Sequence, residues 1–205
     1  MDIKKLDPLH LDALKEVSNI GAGHAATALS ELAHQTILID VPVIEVKPLG
    51  EVLTALAGPG QKVACVAVGL SGDIKGESLL LFTEQDAMEF SNRVLGREES
   101  IKPAALGQLE ESALKETSNI LTCAYMNALG VMLGVMVLPT APVLEIRDPR
   151  AAGGRSFSRN QDHEDMVISI KNEFRFTDKK INLQGYFLLI PDGGSLNAIF
   201  KKLNM

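Results

Sequence analysis

The sequence predicts an α/β protein of the α+β type, built as a pseudo-twofold internal repeat whose unit runs helix-strand-strand-strand-helix. The strands are expected to form one mainly antiparallel sheet, with two long motif helices packed on it. The first observation behind this prediction is that DALKEVSNI at 12–20 recurs as SALKETSNI at 112–120, and that 12–31 and 112–131 are identical at nine of twenty positions. The second is that the register continues without a gap into PVIEVK at 42–47 and PVLEIR at 142–147.

The composition indicates a globular protein. Of the 205 residues, 46% are hydrophobic and 22% are charged, which suits one domain spanning 1–205 and made of two repeats, at about 7–96 and 104–204. A net charge of −6 without a Lys/Arg cluster argues against a nucleic-acid partner, and two cysteines are too few for a disulfide framework. The start has no apolar signal core, and the longest apolar run, 130–138, is too short to cross a bilayer. We therefore predict no membrane partner and a cytoplasmic location.

The first repeat is assigned from its hydrophobic periodicity and its turn residues. Its long helix is expected to begin near Asp7, a capping residue ahead of a proline, and to end at about Leu32. Pro42 in the next strand indicates an edge position or a bulge, SGDIKG at 71–76 predicts a hairpin, and Gly96 ends the last helix. The other predicted elements are strands at 37–46, 63–70 and 77–82 and a helix at 84–95.

The second repeat is expected to replay this order. Its predicted elements are a long helix ending near Met132, strands at 143–147, 166–176 and 181–190, and a short helix at 195–203. Between the first two of these strands, the segment 148–164 is polar and rich in glycine, which predicts a mobile loop.

Each long helix carries the same polar residues on one face. Asp12, Glu16 and Asn19 lie at i, i+4 and i+7, which places them in one narrow stripe. The two stripes, with the small or soft residues that continue them, are Asp12, Glu16, Asn19, Gly23 and Ala26 in the first copy and Ser112, Glu116, Asn119, Cys123 and Met126 in the second. The residues expected to be buried on the opposite faces are Ala13, Leu14, Val17, Ile20 and Ala28, and Ala113, Leu114, Ile120 and Ala128.

The paired Glu and Asn indicate a site that acts on the phosphate of a partner. No nucleophile and base are paired beside them, so catalysis by a covalent triad is not expected. An amide both donates and accepts hydrogen bonds and can hold a water in a fixed orientation, as the water-positioning residue does in phosphoryl transfer. The four histidines are spread without ligand spacing, so no metal site is predicted. The alternative interpretation is that each Glu and Asn is a solvated surface residue.

The order Asp/Ser-x3-Glu-x2-Asn-x22-Pro occurs as Asp12, Glu16, Asn19 and Pro42, and again as Ser112, Glu116, Asn119 and Pro142. With EVSNIGAGHAATALS in the first copy and ETSNI in the second, the chain resembles the CheC/CheX/FliY family over nearly its whole length. This family consists of phosphatases that act on the chemotaxis response regulator CheY. One departure is His24, where the family usually has Asn, and we interpret it as a packing change.

The resemblance implies an enzyme, a protein aspartyl-phosphate phosphatase that acts on a phosphorylated CheY-type response regulator in chemotaxis signal termination and adaptation. It implies that Asn19 and Asn119 orient the attacking water, while Glu16 and Glu116 engage the active-site Lys of the regulator. It implies no cofactor of the protein's own, because Mg²⁺ would be supplied by the regulator. The residues expected to contact this partner around the catalytic pairs are Asp12, Gly23, Ser112 and Cys123.

Two other functions remain open at this stage. The chain could be a non-catalytic binding module, either associated with the flagellar switch or acting by sequestering a response regulator. It could also bind CheD, the receptor deamidase, but family members that do so carry a short amphipathic helix where this chain has AAGGRSFSRN at 151–160. That segment has poor helix propensity, which disfavours CheD as a partner.

Overall fold

The computed structural model describes residues 8–97, 105–148, 166–176 and 181–202, which form five helices and seven strands. In chain order the elements are α1 (Pro8–Ala33), β1 (Ile37–Pro48), α2 (Leu49–Leu56), β2 (Val63–Gly72), β3 (Gly76–Thr83), α3 (Glu84–Val94), α4 (Gln108–Leu133), β4 (Val137–Pro139), β5 (Val143–Arg147), β6 (Met166–Phe176), β7 (Ile181–Pro191) and α5 (Gly193–Lys202). The predicted capping residue Asp7 and the predicted loop after β5, apart from Asp148, lie outside the described residues.

The strands form one sheet in which strands of the two repeats are interleaved. Strands β1, β6, β7, β3 and β2 follow one another, and the far edge of β2 pairs with both β4 and β5. Every one of these pairings is antiparallel. Leaving aside the short β4, the first strand of each repeat therefore pairs with the second strand of the other, β1 with β6 and β5 with β2. The third strands, β3 and β7, pair with each other in the middle of the sheet. The predicted pseudo-twofold, antiparallel arrangement is confirmed.

The outermost strand β1 contains the irregularity that Pro42 predicted. Its pairing with β6 shifts register between Asp40 and Val43, on either side of the proline. Proline has no backbone N–H to donate to a ladder, so it is confined to edge strands and bulges. The interpretation of Pro42 as an edge or bulge residue is correct on both counts.

Both faces of the sheet are covered by helices. Along β3, Leu80 and Phe82 point into a core formed with α1, α3 and α4, while Leu79 and Leu81 point into a second core beneath α2. This is the alternation that a strand buried on both faces requires. The helix α2 was not predicted, because its apolar residues extend over only eight positions and follow directly on β1.

The two long helices lie side by side and run in opposite directions. Leu14 and Val17, near the start of α1, line a cavity of about 20 Å³ together with Met126 and Leu129, near the end of α4. The side chains of the sheet close the same cavity, Phe187 among them. Antiparallel motif helices on one face of the sheet are what a twofold repeat with a central β3–β7 pair produces.

Candidate active site on the motif helices

The eight residues predicted to form the site reach the surface or its edge, four on each long helix. The structure places Asp12, Glu16, Asn19 and Gly23 exposed on α1. On α4 it places Ser112 and Glu116 exposed and Asn119 and Cys123 half-buried. The site is therefore two stripes, one on each helix, that a partner molecule can reach.

Each stripe faces outward because the apolar residues of its helix are buried on the other side. On α1, Leu14, Val17 and Leu29 are at most 5% exposed, and on α4, Leu114 and Leu121 are completely buried. The 3.6-residue period then carries positions 16, 19 and 23, and their counterparts in the second copy, away from the sheet.

Two residues of the helix faces lie on the side opposite to the predicted one, and Ala13, Ala28 and Ile120, which were expected to be buried, are half-buried. Ile20 was expected in the core but is 41% exposed, since it lies one turn beyond Glu16 at the rim of the polar stripe. Met126 was expected to continue the exposed stripe but is only 3% exposed. It is covered because α1 lies against this part of α4, so that Met126 lines the same small cavity as Leu14 and Val17. The corresponding Ala26 is half-buried.

The two long helices are in close contact where Gly21 meets Tyr125. A Cβ atom on Gly21 would lie 2.4 Å from Cδ1 of the Tyr125 ring and 3.0 Å from its Cα atom. The Tyr125 hydroxyl donates a hydrogen bond of 2.6 Å to Oδ1 of Asn172 on β6, and its ring lies 4.7 Å from that of Phe187 on β7. Burial raises the pKa of Tyr125 well above its ordinary value, which keeps this hydroxyl a donor. The contact fixes the two stripes relative to each other and to the sheet.

The start of α4 is held to the end of the first repeat by a buried carboxylate. Glu110 is 4% exposed, contacts the guanidinium of Arg97 and accepts a hydrogen bond of 3.0 Å from the backbone N–H of Gly107. A bond from its own backbone N–H, together with these two contacts, lowers the pKa of Glu110 despite its burial. One turn later, Lys115 pairs with Glu111 at 2.6 Å and so is engaged away from Glu116.

The carboxylates and the first amide of the stripes are left free for a partner. Within the part of the chain that the structure describes, the side chains of Glu16, Asn19 and Glu116 make no hydrogen bond or ion pair. Asn119 differs, because Sγ of Cys123 lies 3.8 Å from its Oδ1 atom. Exposed carboxylates and amides on a rigid helix can accept and donate hydrogen bonds to an incoming active site without breaking internal contacts.

None of the eight site residues lines either of the two cavities described among the residues that the structure covers. A pocket of about 500 Å³ lies elsewhere, between the C-terminal ends of α1 and α3, and none of the eight predicted residues lines it. Among the described residues, no group of three or more His, Cys, Asp or Glu side chains could hold a metal ion. None of the described helices is long and apolar enough to cross a membrane. The geometry suits a macromolecular partner that brings its own pocket.

Comparison with known proteins agrees with the first copy of the motif and with the fold. A profile of the CheC-like family matches residues 9–46, which contain the first Asp-x3-Glu-x2-Asn motif and its proline. The resemblance to the CheC-like family is thereby confirmed.

Among individual proteins, the chain is 24% identical to the CheY-P phosphatase CheC of Bacillus subtilis, over 94% of this chain and 93% of that protein. It is also 24% identical to the flagellar motor switch phosphatase FliY of the same organism, over 72% of this chain but only 38% of FliY. The crystal structure of Thermotoga maritima FliY superposes with a TM-score of 0.82 at 19% identity, covering 98% of both chains. At this identity the superposition establishes the fold.

Proposed function

We propose that this protein is a phosphatase that hydrolyses the aspartyl phosphate of a CheY-type response regulator, in chemotaxis signal termination and adaptation. The observation that carries the proposal is the Glu-x2-Asn pair, present once on each long helix, with Glu16, Asn19 and Glu116 exposed and Asn119 half-buried. The names of the two Bacillus relatives, both called phosphatases, support it.

In the proposed mechanism the helix lends its side chains to the phosphate site of the regulator. Asn19 or Asn119 holds the attacking water in line with the acyl phosphate, and Glu16 or Glu116 pairs with the active-site Lys of the regulator. Because the transition state of phosphoryl transfer is loose, most of the rate enhancement comes from positioning the reactants and from electrostatic stabilisation. Mg²⁺ belongs to the regulator's pocket, so the phosphatase supplies no cofactor. Gly23 and the exposed Ser112 border the pairs and contact the incoming surface.

The test is removal of both amides. Asn19→Ala with Asn119→Ala is expected to lower the rate of phosphate release from the phosphorylated regulator by a factor on the order of 10²–10³, as removal of one preorganised polar contact does elsewhere. Each single variant should keep the turnover of the remaining site. Asn127→Ala removes an exposed Asn from α4, the helix that carries Asn119, at a position outside the motif. It serves as the matched control. Parental turnover in the double variant would exclude the mechanism.

The second candidate function is a non-catalytic module, associated with the flagellar switch or sequestering a regulator. The similarity to FliY, named a flagellar motor switch phosphatase, supports the association with the switch but not the absence of catalysis. A binder changes the lifetime of the regulator's phosphate only at stoichiometric amounts, whereas a phosphatase shortens it at a hundredth of the regulator concentration. That this protein does not bind CheD remains a prediction, because the segment 151–160 on which it depends lies outside the described residues.

A further inference from the structure

The two repeats differ at the position one helical turn after the motif Asn, on the same face of the helix. In the second copy this position is Cys123, whose Sγ atom lies 3.8 Å from Oδ1 of Asn119, within reach of a hydrogen bond from sulfur. In the first copy the position is Gly23, and a Cβ atom added there would find nothing within 4 Å. Among the described residues, only the second motif Asn therefore has a neighbouring side chain that holds its amide.

The thiol acts as the donor in this contact. Partial burial raises the pKa of Cys123, and the negative charge of Glu116, one turn before Asn119, raises it further. The group therefore stays protonated at neutral pH, so S–H donates and the amide oxygen accepts. This assignment turns the NH2 group of Asn119 away from the thiol. It also leaves the second lone pair of Oδ1 available for a water.

We propose that Cys123 is a positioning residue for Asn119, which fixes the amide of the second site in one orientation, while the amide of Asn19 in the first site rotates freely. The two sites then share their motif residues but differ in preorganisation, and the second site gains turnover from its thiol. The inference rests on the proposed phosphatase function for its effect on rate. The orientation of the amide itself does not depend on it.

The kinetic test isolates the second site with Asn19→Ala and then changes Cys123. Cys123→Ala is expected to lower kcat about threefold, the factor that corresponds to a weak hydrogen bond, with KM unchanged. Cys123→Ser keeps a donor at the same position and should restore most of the loss. A change in KM alone would make Cys123 only a contact for the partner and overturn the proposal, as would equal rates for the Ser and Ala variants.

The reciprocal test adds the thiol to the first site. In an Asn119→Ala background, Gly23→Cys is expected to raise kcat, whereas Gly23→Ala, which adds the Cβ atom without a donor, is not. Equal kcat values for the two variants would contradict the inference.

A measurement without the regulator separates this inference from the proposed function. In the isotopically labelled protein, NMR of the Asn119 side-chain amide should show one ordered orientation, and Cys123→Ala should make it average over several. If the parent releases no phosphate but this difference is present, the phosphatase proposal fails and the positioning role stands. If the parent is active but the amide is equally mobile in both proteins, the positioning role fails alone.

Discussion

Replacing Gly21 and Gly23 by Ala, one at a time, should give two variants of clearly different stability although both residues lie in α1. Ala stabilises a helix interior relative to Gly by about 1 kcal/mol, and this gain is common to both variants. Gly23 is exposed, with nothing within 4 Å of an added Cβ atom, so Gly23→Ala should raise the free energy of unfolding by about that amount. It is therefore the matched control for Gly21.

At Gly21 the added Cβ atom would lie 2.4 Å from Cδ1 of Tyr125, whereas carbon atoms make favourable contact at about 3.5–4.0 Å. The Tyr125 ring is 1% exposed and its hydroxyl is bonded to Asn172, so it cannot turn aside and α1 must move away from α4. Overpacking of this kind costs about 1–3 kcal/mol. Because the helix-propensity gain cancels in the comparison, Gly21→Ala should be about 1–3 kcal/mol less stable than Gly23→Ala.

The assay is equilibrium unfolding in urea, followed by circular dichroism, with the parent and both variants under the same conditions. A lower midpoint for Gly21→Ala than for Gly23→Ala, with an unchanged slope, would report a change in stability alone. Equal midpoints would refute the reasoning, because they would mean that the helices are not in contact at Gly21.

Two further predictions concern how the second motif helix is anchored. Glu110→Gln should lower the free energy of unfolding at neutral pH. The pKa of Glu110 is lowered in the folded state, so its ionised carboxylate stabilises the fold above the ordinary glutamate pKa. This stabilisation is lost as the pH falls through the pKa of the folded state. The difference between parent and variant, measured by urea unfolding from pH 7 to pH 3, should shrink below about pH 4, and a constant difference would contradict this account. Thr122→Val should cost about 1–3 kcal/mol in the same assay, since it leaves the buried Ser78 hydroxyl without its 2.9 Å partner. Adding Ser78→Ala should return part of that loss; a double variant as unstable as the single one would argue against the hydrogen bond.

The sequence predicted the parts of the fold that depend on periodicity and on the duplication. The long helices, the hairpins and the shared antiparallel sheet follow from a repeat that neither half can bury alone. The helix α2 was missed because an eight-residue amphipathic segment after a strand carries too few periods to be recognised. Ile20 and Met126 were misplaced because the burial of a residue at the rim of a helix face is not determined by the pattern of its own helix. Ile20 lies at the rim of the polar stripe and is exposed, whereas Met126 is covered by α1, which packs against α4.

The eight site residues remain predictions as functional groups, but six of them are exposed, and Asn119 and Cys123 are half-buried at the edge of the surface. Spacing alone could place Glu16 and Asn19 on one face, whereas the contact between Cys123 and Asn119 depends on a side-chain orientation that spacing does not determine. Duplication made the motif visible, and Gly23 and Cys123 are corresponding positions, one turn after the motif Asn, at which the two copies differ.

The exchange of strands between repeats couples the two motif helices structurally. Strand β1 follows α1 but pairs with β6 of the second repeat, and β5 follows α4 but pairs with β2 of the first. Each motif helix therefore packs on a sheet that the other repeat completes, and the Gly21–Tyr125 contact joins the helices directly. A change that displaces one stripe is transmitted to the other through a close-packed core.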